Sequence, residues 1–320
     1  MLVMGFMNRD HECMDLSQLR YVVAVADASN FTRAAERCFV TQSALSHQIA
    51  ALERELGQRL FVRSSRSVRA TEAGIAFVAR AREALRAVDG ATEDAAAAAG
   101  NVVGTLRLGV IPTVTALDVP GVLVRFRAEH PSARVELRVG NSDALVADVR
   151  SGELDVALLG VREGALPRGV TVREIGRERL VAAVPNTHAL ARRADLALSE
   201  LGGMTFADFP AGTSGRAQSD VAFAAAGVER DVAFEADSAE LILGLVAADL
   251  AVSLLAPAVV AGRAGDVVAV SLRDGPVRIE YVAWDADAPR SVARAFLRMV
   301  EAAVPTQRGG PGNAPGPASQ

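Results

Sequence analysis

Residues 41–57 read TQSALSHQIAALERELG, and this stretch decides what the first part of the chain is. Thr41 is a residue type whose side-chain oxygen satisfies free amides of a first helical turn, so it reads as an N-cap. Behind it Leu45, Ile49, Leu52 and Leu56 recur at spacings of three and four, the core-facing stripe of one helix. Gln42, Ser43, Ser46, His47 and Ala50 fall off that stripe and leave a short polar face. Upstream, FTRAAERCF predicts a compact second helix after Ser29, with Phe39 and Val40 as the turn. Leu16, Leu19, Tyr21, Val22, Val23 and Val25 supply the apolar side of a first helix ending near Ala28. Two helices across so tight a turn, the second with an exposed polar face, describe a helix-turn-helix.

In that reading the third helix enters the major groove. Thr41, Gln42 and Ser43 stand at its N-terminal end, where base edges are reached first, and glutamine pairs bidentately with adenine. His47 lies beside them, within reach of a base or a phosphate. Arg33 suits backbone phosphate, as do Arg63 and Arg66. LFVRSSRSVRAT reads as strand, polar tip and strand, a wing for phosphate or minor-groove contact. Polar outer helix faces are common in any α-helical protein, so local charge serves as a check. Between Met14 and Ala70 there are eight arginines against five acidic residues, in a chain whose formal net charge is −4. Cys38 reads as a packed small hydrophobe, and Glu53 and Glu55 as partners of nearby arginines or solvent.

From Thr71 to about Ala99 the pattern becomes one long helix, with Thr71, Gly74, Val78, Ala81, Leu85, Val88, Thr92 and Ala95 at spacings of three and four. That seam serves either a coiled-coil-like contact between two chains or packing on its own domain. A two-fold dimer would match a dyad-symmetric operator.

The segments FTRAAE, TQSALS, IAALERELGQRLF and TEAG, in this order and spacing, resemble the N-terminal region of LysR-type transcriptional regulators. The resemblance continues to about Ala303. It implies groove-reading positions at Gln42, Ser43, Ser46 and His47, where arginine is the common alternative at the last.

Beyond a hinge at residues 100–104, TLRLGVI, RVELRVG and LDVALLG read as strands alternating with helices, an α/β sheet with parallel crossovers. LVAAVP, MTFADF, DVAFEA and LAVSLLAP continue the pattern, RIEYVAW is a late strand, and Ser291–Ala302 a terminal amphipathic helix. The family resemblance implies a two-lobed effector-binding domain, similar to periplasmic solute-binding proteins, in which the chain crosses back between lobes. Cleft residues then lie beyond strand ends and at helix starts, where free amides favour anions. Thr113, Asn141, Ser142, Thr213, Ser214, Arg216, Asp237 and Ser238 occupy such positions. The resemblance implies effector contacts at Thr113, Thr213, Ser214 and Ser238. The same residues also read as plain helix caps. Thr213–Arg216 suits a carboxylate, whereas Asp237 either repels an anion or binds a hydroxyl or an amine. Asp249–Leu250–Ala251 departs from the family's Gly–Leu–Gly.

The expected architecture is therefore an N-terminal all-α winged helix-turn-helix (residues 14–70), a linker and dimerisation helix (71–99), the hinge, and the effector domain (105–303). Lobe one covers about 105–176 and 277–303, lobe two about 177–276, and residues 1–13 and 304–320 read as disordered tails.

Half of the residues are apolar and every basic side chain is arginine. Two cysteines and four scattered histidines offer neither a disulfide framework nor a metal set. No basic-then-apolar leader opens the chain, and the apolar run at 241–260 is broken by Asp249 and Pro257. These features predict a cytoplasmic protein with no membrane partner. GxGxxG, GK[ST] and GxSxG patterns are missing, which argues against a nucleotide-dependent enzyme or a hydrolase. A transport solute receptor would share the cleft but not the helix-turn-helix. The expectation is a non-enzymatic regulator with no cofactor or metal, binding double-stranded operator DNA and a small organic effector, a carboxylate being the candidate class. It self-associates as a dimer or tetramer and, if an activator, meets RNA polymerase.

Overall fold

The computed structural model describes residues 14–63, 68–285 and 289–304, with the side chain of Arg63 left out. The chain divides into two compact units, residues 1–92 and 93–320.

The first unit opens with α1 (Leu16–Ala28), α2 (Phe31–Arg37) and α3 (Gln42–Leu56). Each begins at a residue able to satisfy free first-turn amides. Asp15 and Gln18 form a reciprocal capping box on α1, Asn30 accepts from the Arg33 amide at 3.0 Å, and Thr41 accepts from the Ala44 amide at 3.2 Å. Leu45, Ile49 and Leu52 are fully buried against Val22, Val25, Phe31 and Phe61, while Leu56 is 39% exposed, so the apolar stripe ends one turn early. Phe31 and Phe61 meet edge to face at 6.0 Å.

A two-stranded antiparallel ribbon follows, β1 (Phe61–Arg63) and β2 (Val68–Ala70), with Phe61 opposite Ala70. Among the described residues Glu53 pairs with backbone amides rather than with an arginine, one of the two partners, arginine or solvent, that the sequence offered. Its carboxylate accepts from the Leu60 and Phe61 amides at 2.7 and 3.1 Å and so fixes where the ribbon begins. Thr71 then accepts from the Gly74 amide at 2.9 Å and starts α4 (Glu72–Ala98). Gly74, Val78 and Ala81 of the seam are buried in this unit, whereas Val88, Thr92 and Ala95 are exposed. The first half of the seam thus packs on its own domain, and the second half is exposed.

The second unit contains a five-stranded sheet ordered β4-β3-β5-β13-β6, formed by β3 (Gly104–Val110), β4 (Ala133–Val139), β5 (Val156–Arg162), β6 (Thr171–Arg179) and β13 (Val277–Trp284). β3 is parallel to β4 and β5, as the alternating order predicts, but β13 runs antiparallel to both β5 and β6. The sheet is therefore mixed rather than wholly parallel. On one face α5 (Val119–Glu129) and α10 (Ser291–Ala303) bury Phe126 against Phe296; on the other α6 (Ser142–Ser151) buries Leu145 and Val149. Burial on both sides explains why β5 is almost continuously apolar.

A second sheet, β11-β7-β12-β8, joins β7 (Val181–Pro185), β8 (Asp195–Leu196), β11 (Ser253–Leu255) and β12 (Val267–Leu272). Beside it β9 (Thr205–Asp208) pairs in parallel with β10 (Asp231–Glu235). Helices α7 (Ser214–Ala225), α8 (Ala239–Ala247) and α9 (Pro257–Ala261) complete this half. The chain passes between the two sheets at Leu180 and again at residues 273–276, where it returns to form β13. Among the described residues no helix is long and apolar enough to cross a membrane. The end of α4 belongs to the second unit: buried Glu93 accepts from Arg290 Nε at 3.1 Å, and Arg294 donates to Asp94 at 2.6 Å.

Gly74 is the tightest backbone contact of the first unit. A Cβ added there would lie 2.0 Å from the Leu60 carbonyl oxygen. Gly74→Ala is expected to cost about 1–3 kcal/mol through this overlap, which neither backbone relieves cheaply. Thermal unfolding monitored by helical circular dichroism checks it; an unchanged midpoint would show that the ribbon and α4 separate freely.

Candidate functional site

Two regions gather the residues singled out in the sequence. The first is the outer face of α3. Gln42, Ser43 and His47 are exposed and Ser46 is half-buried on the same helix, so all four share its solvent side. Thr41 is exposed but holds the cap, and its hydroxyl lies 3.1 Å from that of Ser43. Arg33 is exposed on α2 and donates to the Ala28 carbonyl at 2.8 Å, closing the C-terminus of α1 with one of its five N–H groups. Arg63 lies on β1, and Arg66 lies outside the described residues. Phe39, in the turn before α3, is 96% exposed and has φ +55°, a conformation costly for a bulky side chain. Burial pushes the Cys38 thiol up against the pull of Arg20, which disfavours a reactive thiolate.

The second region is a cavity of about 290 Å³ where residues from both sheets of the second unit face each other. Five of the eight sequence candidates line it: Thr113 beyond β3, Asn141 and Ser142 at the start of α6, Thr213 at the start of α7, and Asp237 before α8. Asn141 and Thr213 are also caps, accepting from the Ala144 and Arg216 amides at 2.9 and 3.3 Å. Ser142 is buried, and its hydroxyl is engaged by both the Gly160 amide and carbonyl, at 3.1 and 3.0 Å.

The other three stand outside the wall, for identifiable reasons. Ser214 turns to Asp143, whose carboxylate accepts from its amide at 2.9 Å and from its hydroxyl at 2.8 Å. Arg216 folds back on Asp220 and Glu235, both at 2.9 Å. Ser238 caps α8, accepting from the Leu241 amide at 3.3 Å. Arg216 belongs to a charged cluster that ties α7 to β9 and β10 and includes buried Asp208 and Arg230, 2.6 Å apart. Burial pushes the Asp208 carboxyl above its ordinary range against the charge of Arg230. Burial acts on Asp220 too, but hydrogen bonds from Arg230 and Arg216 prevail and hold it below the usual carboxylate range.

The residue that sequence reasoning missed is Arg278. It lies on β13, is 4% exposed and lines the cavity. It donates to the Thr113 hydroxyl at 2.7 Å, to the Thr113 carbonyl at 2.8 Å and to Glu178 at 2.6 Å, and it pairs with buried Glu280. Glu280 in turn accepts from the Thr115 hydroxyl at 2.7 Å and the Ala116 amide at 3.1 Å. The pair therefore shapes the loop after β3. The available signal was an arginine and a glutamate two residues apart on an apolar strand, which places both on one face. Gln218 of α7 also lines the cavity. Gln218 Oε1 and Arg278 Nε are buried without a hydrogen-bond partner among the described residues. In the wall Arg278 is paired with carboxylates and the Ser142 and Thr213 hydroxyls are held, and no three potential metal ligands among the described residues come together.

Comparison with known proteins identifies the two domains. Residues 16–75 match the bacterial regulatory helix-turn-helix protein, lysR family, and residues 99–305 match the LysR substrate binding domain. The chain is 35% identical over 249 residues to the uncharacterized HTH-type transcriptional regulator YnfL of Escherichia coli strain K12, covering 76% of this chain and 82% of YnfL. It is 34% identical over 243 residues to the hydrogen peroxide-inducible genes activator of Pectobacterium carotovorum, covering 76% and 80%. A full-length OxyR variant from Pseudomonas aeruginosa superposes with a TM-score of 0.74 at 27% identity, over 94% of this chain and all of that one. Full-length CbnR in complex with its target DNA superposes with a TM-score of 0.64 at 28% identity, over 91% and 100%.

Arg278→Met is expected to destabilise the second unit by about 3–5 kcal/mol, because it leaves Glu280 buried without its cation. Trp284, the single tryptophan, ends β13 and reports urea unfolding of this unit by fluorescence. An unchanged midpoint would show that water, not Arg278, satisfies Glu280.

With its helix-turn-helix and its substrate-binding domain both matched, the chain belongs to the LysR family of DNA-binding transcription regulators, which are not enzymes.

Proposed function

We propose that operator DNA is read by the outer face of α3 and that occupancy of the cavity sets how tightly or in what register the operator is held. In this reading Gln42 and Ser43 reach base edges from the N-terminal turn, with Ser46 and His47 one turn further along. Arg33, Arg63 and Arg66 neutralise phosphates and set position rather than sequence. The observation that carries the reading is the division of α3 into a fully buried stripe and an exposed polar face. CbnR, which has been captured on its target DNA, supports it by similarity.

The effector is a small organic molecule with a carboxylate directed at the starts of α6 and α7, where cap residues line the wall and first-turn amides favour negative charge. Binding to one arrangement of the two sheets over another would be coupled reciprocally to operator affinity. The exposed half of the α4 seam, including Val88, pairs two chains so that two reading heads meet a dyad, and such dimers can pair into tetramers. The site of action is the cytoplasm, with RNA polymerase as a further partner where the protein activates. Several relatives are named for induction by hydrogen peroxide. A cysteine switch does not carry over to the ligand-binding unit, because both cysteines, Cys13 and Cys38, precede it.

Selection from a random duplex library with the purified chain supplies the operator for two tests. Gln42→Ala should lose ~1–3 kcal/mol of discrimination between that duplex and a scrambled one, with the circular dichroism spectrum retained. Equal binding to both duplexes by wild type and variant alike would remove α3 as the reading face. Thr213→Val should weaken the effector response several-fold while leaving effector-free operator affinity unchanged; an unaltered response in calorimetry and anisotropy would take Thr213 out of the site.

A further inference from the structure

The charges around the cavity specify more than an anion. Arg278 brings a guanidinium to the wall, but Glu280 and Glu178 both pair with it, so two carboxylates answer one cation. Arg278 Nε has no partner among the described residues but is itself covered, so a ligand meets little net positive field from this side. A second ligand carboxylate would find no unpaired cation on this wall.

On the opposite side stands Asp237. Asp237 lines the cavity and is exposed, and its carboxylate makes no hydrogen bond or ion pair with any described residue. It is the one charged group of the wall that the fold leaves unanswered among the described residues. The neighbouring amide of Gln218 is 3% exposed, lines the same space, and has its Oε1 unpartnered. A buried amide without partners costs stability unless a bound molecule completes it. The rest of the wall is apolar, with Ile111, Leu180, Phe209 and Leu254.

We infer that the effector is a zwitterionic amino-carboxylate with an apolar side chain. Its carboxylate lies where α6 and α7 begin, on the Arg278 side of the cavity; its ammonium faces Asp237; Gln218 completes the wall between them. The net charge of the ligand is then zero, which suits a wall whose cation is already paired. The inference rests on reading the cavity as the effector site.

Titration calorimetry on the full chain tests it with leucine and phenylalanine. Their matched acids lacking the amine are isocaproate and hydrocinnamate, and their matched amines lacking the carboxylate are isoamylamine and phenethylamine. At least one amino acid should bind roughly tenfold or more tightly than both of its analogues, the size expected of a charged hydrogen bond. Asp237→Asn should reduce that amino acid to the affinity of its matched acid. Asp237 is exposed, so the substitution leaves the fold intact. An acid that binds as well as its amino acid, an unchanged affinity in Asp237→Asn, or no binding by either amino acid overturns the inference. Pro210→Trp, which fills the wall but keeps the carbonyl that accepts from Thr213, separates the two levels. If it abolishes binding of an acid that shows no amine preference, the cavity stands and the zwitterion falls. If binding by any probe ignores it, both fall.

Discussion

The buried pair of Arg278 and Glu280 is the constraint on which the second unit turns. Both sit on β13, the strand laid down after the chain has built the whole of the other sheet and returned. Because residues two apart on a strand share a face, one short segment delivers a cation and an anion to the same place. Each then holds the loop after β3: Arg278 through Thr113, Glu280 through Thr115 and Ala116. Removing either partner strands the other in a poorly solvated interior, so the loop, the last strand and the cavity wall stand or fall together. A guanidinium already matched by carboxylates is a fixed part of the cavity wall.

The first unit depends on a different economy, the satisfaction of backbone amides at the ends of short elements. Asp15, Asn30 and Thr41 close three helix starts, Glu53 closes the start of the ribbon, and Thr71 begins the long helix. Seven residues of α2 hold no stability of their own. They are ordered by these caps and by the buried stripe of α3, which leaves the opposite face of α3 free of structural duty. That freedom is what allows an exposed polar surface there.

Periodicity and capping made most of this legible. Leu45, Ile49 and Leu52 revealed α3 because three- and four-residue spacing reflects one buried face, and the apolar run LDVALLG revealed β5 as a strand. The antiparallel β6 was not foreseen, since TVREIGRER alternates charges on a strand at the sheet edge and carries little apolar signal. Thr113, Asn141 and Thr213 could be placed near a cleft because strand ends and helix starts converge there. Ser214, Arg216 and Ser238 share the same local signature yet turn to Asp143, to acidic neighbours and to α8. A capping sequence states where a helix begins, not which way its second residue points. Arg278 and Gln218 required the tertiary fold, because their partners or their lack of them lie far away in the chain.

The central claim is that this chain recognises specific operator DNA under control of a small molecule. Sequencing of genomic fragments captured by the purified protein, with and without a low-molecular-weight extract of the source cells, tests it most directly. The account predicts recovery of a dyad-symmetric site whose enrichment or protected length changes with the extract, and loss of that change when Pro210→Trp fills the cavity. Folded protein that enriches no sequence under either condition would contradict it.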